Sequence, residues 1–374
     1  MTTTLLFTGS AGPGIALAAA ATALRAADTG RRALLIGLGP AESLGALLEA
    51  ELTGEPRTIV PYLDALAIDA PADLAAAWER SRDQAPGQLV RVAGDELPLP
   101  PGLELFFGLL RLRELAPRYD LAVVEAGPHD TLLRALALPD GLRWAVRLLF
   151  GLDRGPGRSP ASVGRAVVPT ALMPAEVVER IQETRLAAER GRETLLAGGA
   201  VARYVLRPDV SALAEARLAV PALQLHGLAM PALLAGPLLP DDSAGSRLAP
   251  LLERQRTLLA EAAAIWPTRP VLRFDLPSGS GLGALREIGA QFAARQDIAV
   301  LATPAPIAEQ HAGEPAIAVE LPGMPKDALR IMLSGDELIM QVGPYRRHIL
   351  LPEALRGSSI KATREGERVI VRRR

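Results

Sequence analysis

A doubly wound α/β fold with a mostly parallel sheet, followed by a small all-β sandwich, is what this sequence predicts. Three observations carry the prediction. The chain opens with a β-prone run, a glycine-rich turn and an alanine-rich helix, and a second apolar strand follows. Apolar strands then alternate with helical stretches as far as Ala294, the pattern of strands joined by crossover helices. Beyond Pro315 the apolar period falls to two, as in half-buried strands.

In order along the chain, Thr4–Thr8 reads as a strand, Gly9–Gly14 as a loop and Ile15–Ala27 as a helix. Gly30 takes the helix C-cap position, and Ala33–Ile36 is the second strand. Gly102–Ala116 is helical and leads into the strand Leu121–Glu125. Strands at Val201–Leu206 and Leu228–Leu234 flank a helix at Ser211–Leu225, and Leu272–Leu276 precedes a helix at Leu282–Ala294. Residues 150–200 break the rhythm. Gly151–Ser162 is rich in Gly, Pro, Arg and Ser, and Pro174–Leu196 carries Val177, Val178, Ile181 and Leu186 among charges, which together predict an inserted helical subdomain. Prolines at 304, 306 and 315 predict a linker over 301–314 between an α/β domain at 1–300 and a β-sandwich at 315–374. Five short strands are read in that sandwich, around Ile317–Leu321, Leu329–Leu333, Leu338–Val342, Ile349–Leu351 and Val369–Val371. On this division few contacts cross the linker and a chain ending near residue 303 is expected to stay folded, while the module of about 60 residues is expected to be marginal alone and to gain from docking on the α/β domain or on a second subunit.

Composition excludes several classes of chemistry. Hydrophobic residues make up 49% and charged residues 22% of the 374, ordinary for a globular chain, and the formal net charge of -1 gives no pull toward nucleic acid. There is no cysteine, which rules out disulfides and thiolate chemistry. The histidines, His129, His226, His311 and His348, are scattered without metal-ligand spacing, so no metal is expected. Lysine occurs only at Lys326 and Lys361. The apolar run Ile15–Leu24 is too short to span a bilayer and has no basic lead-in, so no integral membrane segment and a cytoplasmic location are expected.

A phosphate-binding loop is G-x-x-x-x-G-K-[ST] between a strand and a helix: backbone N–H groups cradle phosphate, the lysine neutralises it, and the hydroxyl holds magnesium. Gly9-Ser10-Ala11-Gly12-Pro13-Gly14 supplies the glycine frame in that setting, but Ile15 and Ala16 follow. Taken alone, the loop fits either a plain glycine turn or a degenerate phosphate site.

The wider chain resembles the ATPase family of the arsenical pump and of tail-anchored membrane-protein targeting. Members open G-K-G-G-V-G-K-T-T after a strand, and LLFTGSAGPGIAL aligns with that without gaps. Gly39-Pro40-Ala41-Glu42-Ser43-Leu44 resembles the family's first switch, D-P-A-x-S-L. Glu125-Ala126-Gly127-Pro128-His129-Asp130, with Leu133-Arg134 and Leu138-Pro139 beyond, resembles the second, and Gly236-Pro237-Leu238-Leu239-Pro240 the base-reading loop. Glu320-Leu321-Pro322-Gly323 and Tyr345-Arg346-Arg347-His348-Ile349-Leu350-Leu351-Pro352 resemble the α-crystallin-like domain that one subgroup carries.

The resemblance implies a P-loop NTPase-type sheet with nucleotide contacts at Gly9, Gly12, Gly14, Glu125 and Gly236. The departures fall on the chemistry. Ser10 stands at the signature lysine, Ile15 at the loop lysine, Ala16 at the magnesium hydroxyl, Gly39 at the water-positioning aspartate and Gly236 at the base-reading asparagine, while Glu125 keeps an acid one carbon longer. Losing one electrostatic stabiliser typically costs ~10²–10³ in rate. No catalytic residue is therefore assigned, and no cofactor is expected beyond weak ATP or ADP binding.

Other constellations have plainer readings. Ser43, His129 and Asp130 suggest a hydrolase triad, but no G-x-S-x-G elbow is present and solvated switch residues explain them. Asp64 and Asp69 read as the polar ends of a strand rather than an acid pair. The helix at Gly102–Ala116 is either a core helix or, as the resemblance implies, a client groove lined by Leu103, Phe106, Phe107 and Leu110. Arg372, Arg373 and Arg374 read as a frayed basic tail. The sequence thus predicts a pseudo-ATPase acting as a protein-binding or scaffolding module, a homodimer or a heterodimer with an active paralogue, with a hydrophobic protein client. The alternatives are an active targeting or anion-transport ATPase with unusual catalytic residues, and a nucleotide-independent holdase.

Overall fold

The computed structural model describes residues 2–82, 91–99, 102–150, 199–241, 247–295, 307–311 and 313–374, with residues 183, 186, 189–193, 195 and 196. Its centre is an eight-stranded sheet. In chain order the strands are β1 (Thr3–Gly9), β2 (Ala33–Gly37), β3 (Arg57–Val60), β4 (Leu63–Ala67), β5 (Leu121–Pro128), β6 (Val201–Leu206), β7 (Ala229–Leu238) and β8 (Val271–Asp275). Their order across the sheet is β3-β4-β2-β5-β1-β6-β7-β8. All pairings are parallel except β3 with β4. β1 lies between β5 and β6, so the loop after it opens at the carboxyl edge where the connections diverge.

Helices cover both faces, and the strands are apolar on both sides to match. Leu5 and Phe7 face one core with α1 (Gly14–Asp28), α2 (Ala41–Leu48) and the helix that closes the α/β body. Leu6 faces the other, with α3 (Ala70–Ser81) at its margin and α4 (Leu103–Leu115) and α5 (His129–Phe150) in it. α6 (Val210–Leu225) and α7 (Ala249–Ile265) extend that second face, and α8 (Gly281–Arg295) packs beside α1 on the first. The alanines of α1 explain the close fit. Ala18, Ala19, Ala20, Ala21 and Ala23 are fully buried, and Gly289 of α8 passes close to Ala21 and Arg25. Of the helix read at Pro174–Leu196, residues 183, 186, 189–193, 195 and 196 are helical. The rest of it, and the loop read at Gly151–Ser162, lie outside the described residues.

The C-terminal module has seven strands among the described residues: β9 (Ile307–His311), β10 (Glu314–Glu320), β11 (Leu329–Ser334), β12 (Glu337–Val342), β13 (Tyr345–Leu350), β14 (Ile360–Glu365) and β15 (Arg368–Arg373). They form an antiparallel sheet β14-β15-β10-β9 and a second, β11-β12-β13. Two of these correct the sequence reading. β9 falls inside the stretch read as linker, and β14 was not anticipated. Both are edge strands of largely polar sequence, IAEQH and IKATRE, so neither shows the apolar alternation that marks a half-buried strand. The basic end is also not a frayed tail. Arg372 and Arg373 belong to β15, and the Arg374 N–H donates to Ser359 O at 2.9 Å.

The expectation that few contacts cross between body and module is overturned. Ile317, Val319, Leu321, Leu338, Met340 and Val342 share one apolar cluster with Ala219 and Leu223 of α6. Trp266, fully buried after α7, donates its indole N–H to Pro322 O at 3.3 Å. Arg269 bridges to Glu367 at 2.9 Å and to Glu320 at 3.4 Å. α5 also closes the free edge of β13: Asp140 accepts the His348 N–H at 3.2 Å and Arg143 donates to His348 O at 3.4 Å. Two side chains of a helix thus take the place of a neighbouring strand.

Candidate functional site

The site is built where β1, β2, β5, β6 and β7 end. β1 finishes so close to β6 that a Cβ on Gly9 would run into the Val205 backbone. The Ser10 N–H donates to Val205 O at 3.0 Å, and the Ser10 side chain turns inward, 4% exposed, beside the Tyr204 hydroxyl. Gly14 meets the opposite wall: a Cβ there would lie 2.8 Å from Gly236 O and 3.1 Å from Pro237 Cδ. Gly9, Gly14 and Gly236, far apart in sequence, are therefore brought together. Gly12, at φ +144°, stands in open space.

The residues that should meet phosphate point elsewhere. Ile15, read from the sequence as standing at the loop-lysine position, is 2% exposed and packs in the apolar cluster of α1. Ala16 is half-buried and has no oxygen to offer a metal. Pro13 precedes the helix and carries no N–H. A cation at the loop comes from another strand. Arg207, just beyond β6, donates from Nη1 to Ala11 O at 2.7 Å and pairs through Nε with Asp209. Sequence reasoning passed over Arg207, although a charged residue at the carboxyl end of a strand beside β1 is where a ligand crevice is expected.

Glu125 and Gly39 are neighbours across the β2–β5 boundary. The Glu125 carboxylate is buried and accepts N–H groups from Gly127, at 3.1 Å, and from Gly39. Burial pushes its pKa up against the lowering effect of those two donors. A Cβ on Gly39 would sit 3.4 Å from Glu125 Oε2. An aspartate at 39 would press a second carboxylate onto the first. The two departures fit one another: the longer acid fills room that the missing side chain leaves.

His129 follows the second switch and is also buried. Its Nδ1 lies 2.9 Å from Gly9 O and 3.2 Å from the Tyr204 hydroxyl, and Tyr345 of the module stands edge-on to its ring at 6.3 Å. Desolvation pushes the Tyr345 phenol up to about 12. His129 is thus committed to the back of the loop. Ser43 is exposed on α2, and Asp130 pairs with Arg134 at 2.8 Å, so no triad forms. Asp64 accepts from Thr58 and Tyr119, at 2.6 and 2.7 Å, while Asp69 caps α3 by accepting the Ala72 N–H at 3.1 Å. They serve separate structural roles.

On α4, Phe107 belongs to the core, Leu103 and Phe106 are half-buried against it, and Leu110 is exposed. Core packing accounts for three of the four residues read as a groove. No group of acidic and histidine side chains suited to a metal occurs among the described residues, and no described helix is long and apolar enough to cross a membrane. The side chains present do not fit Mg-ATP, because the loop offers its phosphates neither a lysine nor a metal-binding hydroxyl.

Comparison with known proteins places this geometry. The family model for anion-transporting ATPases matches residues 2–291. The chain belongs to that family. A second model, for the HSP20-like domain found in ArsA, matches residues 312–372 and accounts for the C-terminal sheets. An uncharacterised protein of Streptomyces coelicolor is 32% identical, over 97% of this chain and 95% of its own. A protein of Chlorobaculum tepidum named as an arsenical pump-driving ATPase is 27% identical, over 94% and 91%. Protein Rv2184c of Mycobacterium tuberculosis is 30% identical, over 95% and 91%. The family match thus runs from β1 into α8.

Proposed function

We propose that this chain is a pseudo-ATPase, a member of the anion-transporting ATPase family that works as a protein-binding or scaffolding module without hydrolysing ATP. The observation that carries the reading is Ile15, sealed into the core at the position where a cation would have to meet phosphate. Glu125 supports it, since its carboxylate is buried and held by two backbone donors rather than turned to a metal. The proposed partners are a second copy or an active paralogue, with a hydrophobic protein as client, in the cytoplasm. Nucleotide affinity is weak on this reading: the α1 N-terminus still favours an anion, but Pro13 removes a donor and no lysine is near. Phosphate release is expected to match a mock purification. Release well above that background, abolished by Gly14→Asp, would sink the proposal.

One observation favours a second reading, an ATPase with unusual residues. Arg207 holds a guanidinium against the loop. Under this reading Mg-ATP binds at micromolar concentration and Arg207→Ala weakens it at least tenfold. Calorimetry on both proteins separates the two readings.

A further inference from the structure

The contact between body and module contains charge that an apolar interface does not need. Three arginines meet there: Arg143 of α5, Arg192 of the helical residues 189–193, and Arg347 of β13. Asp140 accepts from Arg192 at 2.9 Å and lies 3.8 Å from Arg143, which also lies 3.5 Å from Glu337. Asp140 and Glu337 are each 4% exposed. His348 Nδ1 stands 3.3 Å from Glu337. Arg347 crosses from the module to the end of α6, where its Nη1 donates to Leu225 O at 3.0 Å. The next residue is His226, 1% exposed, with no hydrogen-bond partner for Nδ1. The charged groups that reach His226 are Arg347 from β13 and Arg192 from the helical residues before β6, and behind Arg347 stand Asp140 and Arg143 of α5. Among the described residues, two carboxylates, Asp140 and Glu337, face three guanidiniums.

We propose that this cluster is an acid-triggered latch, in which a proton on His226 releases the C-terminal β module from the α/β body before the body loses its fold. A neutral ring is tolerated at the end of α6. A charged one would add a further cation beside Arg347 and Arg192. Exposing the end of α6 relieves that repulsion, and it requires β13 to withdraw. Burial, and then the nearby Arg347 and Arg192, hold the His226 pKa well below its usual value of 6.5. The docked chain therefore binds fewer protons than the released chain between its own lowered pKa and about 6.5, and docking weakens as pH falls through that window. Above it both forms are neutral at this ring, and the latch is indifferent to pH.

Trp266 is placed to report release, because it is fully buried and bonded to Pro322 of the module. In the full chain with Trp78 and Trp144 changed to Phe it is the sole indole. Lowering the pH from 7 toward 5 is expected to shift its emission to the red while helical circular dichroism stays constant. In His226→Gln the midpoint is expected at least one pH unit lower, and in His348→Gln unchanged. Emission and dichroism moving together would overturn the proposal. So would an unshifted midpoint in His226→Gln, or a shift in His348→Gln instead. Ring-carbon resonances of the unmodified chain give a check that needs no variant. His226 is expected to titrate together with the release, and a ring that titrates well before release, or stays neutral through it, also refutes the latch.

Discussion

At the scale of single residues, the site shows how one substitution changes what its neighbours can be. Once Ile15 joins the core, the space it fills is not available to a charge. Ile15→Lys restores the family's residue in name only. It is expected to cost on the order of 3 kcal/mol in urea unfolding, through burial of an unpaired ammonium, and to restore no ATP hydrolysis. A stable, hydrolysing variant would show that the side chain can turn toward the loop. Glu125 gives a pH test. Its folded pKa is raised by desolvation, so the folded state binds its proton more tightly than the unfolded chain does. Stability is then lost as pH rises through the folded pKa. Glu125→Gln keeps a carbonyl to accept the Gly127 N–H, and is expected to melt higher than the wild type at pH 7. The gain should vanish below pH 4, under the unfolded pKa. A lower melting point at pH 7 would mean that the ionised form is the favoured one.

At the scale of elements, local rules set where helices begin. Asp209 caps α6 by accepting the Ala212 N–H at 2.8 Å and also pairs with Arg207, which bonds the loop. One side chain thereby ties a helix start to the phosphate loop. Asp209→Ala is expected to cost about 1 kcal/mol in denaturant unfolding. A variant as stable as wild type would show that the packing of α6 alone fixes its start. The apolar periods of these elements were legible in the sequence, because they depend on residues a few positions apart, whereas the Asp209 and Asp69 caps were not read there. β9 and β14 were not, because edge strands take their identity from the strand they pair with.

At the scale of the whole molecule, the module is a wall of the body rather than an appendage. It covers the outer face of α6 and encloses Trp266. A chain ending near residue 303 uncovers that face. In place of the stable fragment that the linker suggested, such a chain is expected to bind an apolar dye and to melt below the intact protein. A fragment that melts with the whole chain and binds no dye would mean that the interface contributes nothing. A β module of about 60 residues is marginal by itself, and docking supplies the apolar burial that its size denies it.

The sequence by itself determined the fold class, the family, the strand–loop–helix opening and the absence of a lysine from the loop. All of these are written in residue types at fixed local spacing. Tertiary structure alone decided that Gly39 makes room for Glu125, that Arg207 serves the loop, that Phe107 is core, and that Asp140, Arg192, His226, Glu337 and Arg347 form one buried cluster. The reason is separation along the chain. Arg347 and Leu225 lie 122 residues apart, and His348 and Asp140 lie 208 apart. No local period records which distant charges are enclosed together when two layers close.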